Sequence, residues 1–214
     1  MRAHYIVFLI TCMVVTGCRH HGVRGSGIER SEERSLDEFT VVDISGTFKV
    51  TIRCGESPGA RVTADDNLLH LIKTEVRGSK LHIFPEREID PRASVKVEVT
   101  TPGISEVSVS GVASIDIRKV ESEKLSLEIS GAASVAAEGT VHDADFAISG
   151  AGKLSTEDLH AANLRVTVSG AAKADVYASE SLDVDVAGAG TVRYAGNPKN
   201  VKKNISGVGF VSQK

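Results

Sequence analysis

From Phe39 onward the chain alternates apolar and polar positions with a period of two, the mark of strands with one buried face. Val42, Ile44, Phe48, Val50 and Ile52 carry this pattern first, and Val95, Val97 and Val99 carry it again after a charged loop over residues 86–92. Between them, residues 65–73 (DDNLLHLIK) space Leu68, Leu69 and Ile72 as one or two helical turns. Residues 75–77 and 81–84 read as a strand pair joined at Gly78-Ser79.

The second half repeats. SGVASIDI begins at Ser110, SGAASVAA at Ser130, SGAGKLST at Ser149, SGAAKADV at Ser169, AGAGTVRY at Ala187 and SGVGFVSQ at Ser206, at intervals of 20, 19, 20, 18 and 19 residues. A fixed period near 20 with short strands predicts a solenoid in which each repeat is one coil. Three columns point inward. They are the residue before each signature (Val109 to Ile205), the residue two earlier (Val107, Leu127, Phe146, Val166, Val184, Lys203) and the fifth after it (Ile115 to Val211). Seventeen of these 18 positions are apolar, where composition alone would give about seven. The expectation is therefore all-β: a right-handed parallel β-helix of about six coils of 18–20 residues, preceded by a β-rich part with one short helix. An antiparallel sandwich is the competing reading, but it gives no cause for constant columns.

Gly111, Gly131, Gly150, Gly170, Gly188 and Gly207 form an invariant column, expected to serve a corner that needs either unusual φ/ψ or close approach of neighbouring coils. The Ser column is expected to stack hydroxyls, each bonding to the next. Nothing like a His/Asp relay accompanies these Ser residues, so their repetition reads as architecture.

The first residues read as export. Arg2 and His4 precede an apolar run of 11 residues over 5–15, too short to span a bilayer, ending in Val15-Thr16-Gly17-Cys18. That ending resembles the bacterial lipobox, in which small residues fit the signal peptidase and the Cys thiol takes lipid. The implied order is a signal peptide at 1–17, a lipidated Cys18 with a polar tether at 18–35, and one domain at 36–214. Arg19 after the Cys resembles outer-membrane sorting, which gives an expected cell-envelope location. With Cys12 removed and Cys18 acylated, Cys54 stands alone, in phase with Val50 and Ile52 and so expected to be buried.

Composition trims the function classes. Loss of residues 1–17 leaves 24 basic against 28 acidic residues, a net −4 without a basic stripe, which speaks against nucleic acid as a partner. No metal or cofactor motif is present, and His20, His21, His70, His82, His142 and His160 read as solvated or satisfied rather than as ligands. The nearest approach to a catalytic set is Asp143, Asp145, Asp183 and Asp185, with Arg165 between Asp145 and Asp183. That reads as a charged face.

Gly25-Ser26-Gly27, Glu33-Arg34, Phe39, Ile44-Ser45-Gly46, residues 50–52, Asn67-Leu68-Leu69, residues 81–83 and 95–99, Thr101-Pro102 and the six repeats together resemble the putative auto-transporter adhesin, head GIN domain family, over residues 25–214. Thr47-Phe48 departs from the small residues usual after the first Ser-Gly and is expected to alter that corner. The resemblance implies a right-handed β-helix on an envelope protein. Three functions follow in order: a non-catalytic binding or adhesion module with a protein or glycan partner, a structural envelope component assembled by coil stacking or lateral contact, and a polysaccharide-active enzyme.

Overall fold

The computed structural model describes residues 22–214. The chain opens with β1 (Val23–Arg24) and β2 (Glu29–Ser35), followed by β3 (Val41–Ile44) and β4 (Thr47–Cys54), which flank the first Ser-Gly corner. Next come β5 (Gly59–Asp65), one 3-10 turn at Leu69–Leu71, β6 (Ile72–Arg77), β7 (Lys80–Pro85), β8 (Ile89–Asp90) and β9 (Lys96–Thr101). The repeats supply β10 (Glu106–Val109) and four long bent strands: β11 (Val112–Ile129), β12 (Ala132–Ile148), β13 (Ala151–Val168) and β14 (Ala171–Val186). β15 (Ala189–Ala195), β16 (Asn200–Ile205) and β17 (Val208–Gln213) finish the stack. The result is a β-solenoid of about five turns with parallel coils; the six repeated signatures mark the corners that bound them.

Each long strand contributes to two faces. Its first part stacks in register on β4 below, then coil on coil up to β15 and β17. Its last part continues the stack of β7, β3 and β10, ending at β16. A short third face, through Val120, Gly139 and Leu159, closes the coil on the side away from the Ser-Gly corner. The three expected apolar columns are buried in the first five coils and fill the interior. Phe146, Leu127, Ile129 and Ile117 are among the largest side chains sealed there.

The Gly column resolves to close approach. None of its six members has a positive φ. A Cβ built on any of them would fall far closer than 3.0 Å to the carbonyl of the corner Gly one coil earlier, running from Gly46 under Gly111 up to Gly188 under Gly207. The cause is a hydrogen-bond ladder. Gly111 O accepts from Ala132 N at 2.9 Å, Gly131 O from Ala151 N at 3.0 Å and Gly150 O from Ala171 N at 3.0 Å, so each carbonyl points into the next Gly. The Ser hydroxyls do not bond to one another. Ser130 Oγ donates to Val109 O at 3.2 Å and Ser149 Oγ to Ile129 O at 3.4 Å, each a backbone carbonyl of the coil below.

The first corner differs, as Thr47-Phe48 foretold. Gly46 has φ +126° and sits against Phe48 and Pro85. Phe48 opens the column continued by Ala113, Ala133, Gly152 and Ala172, and so plugs the bottom of the stack.

The expected tether does not hold for residues 22–35. β2 pairs antiparallel with β5 along its whole length, and β1 pairs with β8. These residues have no apolar period because they lie on an exposed sheet edge and are held by backbone bonds and polar side chains. Arg34 donates to Ile72 O at 2.6 Å and to Leu69 O at 2.9 Å. Asp65, fully buried, accepts from Gly27 N at 2.7 Å, Arg92 N at 2.9 Å and Ala93 N at 3.3 Å. Burial would raise its pKa, but those three N–H groups together with nearby Arg92 hold it below the usual carboxylate range. Cys54 is a buried free thiol, and desolvation pushes its pKa to about 11, which leaves it inert.

Candidate functional site

The lipobox, Val15, Thr16, Gly17 and Cys18, together with His20 and His21, lies outside the described residues. Within them, the chemistry sits on outward columns. Strand alternation sends every second side chain to solvent, and in-register stacking places the outward ones in lines about 4.8 Å apart.

On the second face one such line runs Asp145, Arg165, Asp183, Lys202. Arg165 lies 3.4 Å and Lys202 3.8 Å from Asp183. The neighbouring line runs Lys124, Asp143, Asn163, Ser181, with Asn163 Nδ2 donating to Asp143 at 2.9 Å and Ser181 Oγ donating to Asn163 at 2.6 Å. Asp143, Asp145 and Asp183 thus line one hollow of about 330 Å³ with Lys124 and Arg165. Asp185 stands one column away, bonded by Asn204. Hydrogen bonds from Asn163 and His142 hold the Asp143 carboxyl below its ordinary range. A general acid needs the opposite shift, a raised pKa that keeps a proton at neutral pH. Asp143 is thus no general acid, and the set as a whole is a line of carboxylates threaded by the cations of Arg165 and Lys202.

The short third face carries a larger groove, about 740 Å³, lined by Glu121, Glu123, Thr140, His142, His160 and Tyr177 among others. Glu121, Thr140 and His160 stand on successive rungs. The His160 ring stacks on Tyr177, centroids 4.5 Å apart and planes 16° off parallel. Sequence alignment of the repeats hides this pair. His160 comes eleven residues after Ser149 and Tyr177 eight after Ser169, and the register shifts around Ala161 bring them together.

A third hollow, about 430 Å³, lies between Phe48, Val112 and the 91–95 loop. On the first face Asp175 is buried and takes a bidentate pair from Arg193 at 2.6 and 2.8 Å, with Lys214 at 3.6 Å. Neither partner is visible in the repeat pattern, since both sit at positions that vary from coil to coil. Among the described residues no group of three or more His, Cys, Asp or Glu is arranged to hold a metal, and no helix is long and apolar enough to cross a membrane.

The family model described as putative auto-transporter adhesin, head GIN domain, matches residues 38–198. The chain belongs to this family. A comparison with curated proteins finds no match. Among solved structures, this head GIN domain is similar to a putative adhesin from Bacteroides fragilis, with a TM-score of 0.72, 21% identity, and coverage of 90% of this chain and 100% of that one. It is also similar to a putative lipid binding protein from Parabacteroides distasonis, with a TM-score of 0.53, 20% identity and coverage of 90% and 99%. A putative adhesin from the same organism aligns with a TM-score of 0.53 and 21% identity over 90% and 100%. At these identities the likeness establishes a shared fold.

Proposed function

We propose that this head GIN domain is a lipid-anchored envelope protein, sorted to the outer membrane, that acts as a non-catalytic binding module. The observation that carries the binding reading is the state of its outward carboxylates. Asp143, Asp183 and Asp185 are each bonded to Asn, Arg or Lys neighbours on adjacent rungs, and Asp143 also to His142 beside it on its own strand. Such an array sets association rate and selectivity rather than moving protons. The adhesin and lipid-binding descriptions of its structural neighbours agree with it. The anchor rests on Val15-Thr16-Gly17-Cys18. Cys18→Ala should leave an uncleaved precursor that no longer fractionates with membranes, and normal maturation of that variant defeats the anchor. The fourfold change of Asp143, Asp145, Asp183 and Asp185 to Asn should leave the fold intact and weaken attachment to envelope fractions. Polysaccharide cleavage by the mature domain that vanishes in the fourfold variant would replace the binding reading with an enzyme.

A structural role by coil stacking is supported by one separate observation. The last coil exposes Val201 (41%), Ile205 (41%), Val208 (85%) and Phe210 (62%), the only such run in the repeats among the described residues. Concentration-dependent association that is lost in Phe210→Ser would favour that role.

A further inference from the structure

We propose that the groove of the third face, with Tyr177 and His160 as its platform and Glu121 and Glu123 as its polar rim, binds a linear saccharide laid along the solenoid axis. This rests on the binding-module reading and names its ligand class. Three observations converge on it.

The first is where the groove lies. The Ser-Gly corner is locked coil to coil by backbone contact, so differences in coil length have to be absorbed elsewhere. They are absorbed here: the register shifts fall between Ile117 and Val120, Ala136 and Gly139, and Thr156 and Asn163. Corner chemistry varies with them, from Lys119 at φ 57° to Gly139 at φ 133°. The constant side of the coil holds the fold, and the irregular side is free to carry recognition.

The second is unspent bonding capacity. Glu121, Glu123, Thr140, His160 and the Tyr177 hydroxyl have no side-chain hydrogen bond or ion pair among the described residues. The carboxylates of the second face contrast with them, since most are already bonded. Free carboxylates accept hydrogen bonds from adjacent sugar hydroxyls, and an aromatic ring takes the apolar C–H face of a pyranose. Val141 and Ala162 continue the apolar floor between the two polar lines.

The third is spacing. Rungs recur every 4.8 Å or so, close to the advance of one pyranose unit, so that each rung can meet one ring, whereas an extended peptide advances about 3.3 Å per residue and drifts out of phase within two rungs. Two unpaired carboxylates also repel phosphate and fatty-acid headgroups. A sugar chain is the ligand whose repeat and chemistry both fit.

The test is titration calorimetry of the mature domain with chitotriose, maltotriose and cellotriose, and with trilysine as the cationic-peptide comparison. At least one trisaccharide should bind. Tyr177→Ala should weaken it tenfold or more, and the double Glu121→Gln, Glu123→Gln variant, which keeps shape and leaves the ring stack untouched, should weaken it at least fivefold. The fourfold Asp→Asn variant of the second face should bind as the parent does. Binding that survives both groove changes but disappears in the fourfold variant overturns this assignment while leaving the binding module standing. Binding of trilysine alone, or of none of the four probes at millimolar concentration, overturns the saccharide.

Discussion

The two halves of the domain are built by opposite means. Residues 106–214 repeat one solution: an apolar interior, a Gly carbonyl aimed at the next Gly, and a coil that satisfies its backbone on the coil below. Residues 22–105 share with them only the first corner, at Gly46 between β3 and β4. They close the bottom of the stack with antiparallel pairs, β2 on β5, β5 on β9 and β6 on β7, and with single-use polar nodes at Asp65 and Arg34. An array that stacks needs a terminal element to end its exposed edge. Here one end has it, with charged outer strands, while the last coil leaves Val208 and Phe210 in solvent. Uniformity therefore marks where the fold propagates, and irregular chemistry marks where it stops.

The sharpest way to break this contrast is at the corner. Gly150→Val places a branched side chain inside the Gly131 carbonyl, in the middle of the stack, and should cost about 4 kcal/mol or more, or prevent folding. Gly103, beside which a Cβ meets nothing within 4 Å, is the matching control, and Gly103→Ala should leave the urea midpoint unchanged. Equal midpoints for the two variants would remove the close-approach account.

The next effect belongs to the irregular half. Asp65→Ala removes the buried acceptor of three part-buried backbone N–H groups and should cost about 3 kcal/mol. Amide exchange should accelerate at Gly27, Arg92 and Ala93 before it does in the repeats. The sign with pH follows from the lowered pKa of Asp65. Its contribution is complete above the ordinary aspartate range and is lost as pH falls through the folded value. Asp65→Asn should therefore flatten the acid limb of a stability-against-pH curve, and an unchanged limb would show that other carboxylates govern it.

Smaller still is Asp175→Asn, which weakens the pair with Arg193 and the contact with Lys214. About 1.5 kcal/mol should be lost, with exchange rising in β15 and β17 rather than in β11. Smallest in stability is Phe210→Ser, within about 0.5 kcal/mol because the ring is exposed. Its effect should appear in sedimentation velocity, as less association at high concentration. A large loss of stability there would mean that the final coil is better packed than its exposure indicates.

How much of this was legible in the sequence follows the same division. The repeats declared their inward columns and corner spacing because each position was read six times, although six signatures bound about five turns rather than the six coils expected. The Gly column left two causes open, and only the placement of Gly46 O through Gly188 O against the next corner decided for close approach. β2 was invisible, since ERSEERS has no apolar side to betray a strand. The His160–Tyr177 stack was hidden because its two rings sit at different offsets from their corners, and no single-sequence column joins them. The phase of Cys54 with Val50 and Ile52 did reveal its burial.

The ladder of corner carbonyls also has a kinetic meaning. A new coil has no partner for its backbone until the one beneath it exists, so the stack should grow by templating, with the first rung as the slow step. That rung draws β4 against β9 and β11, across long stretches of chain, and long-range closure of this kind is where folding barriers concentrate. Every later coil closes a loop of only 18–20 residues onto a finished surface, a modest entropic demand. The segment that must nucleate is also the one that leaves the ribosome or a translocation pore first. Synthesis in that direction presents the template before the coils that need it, and a circular permutant that places β10 ahead of β1 should refold more slowly at nearly unchanged stability.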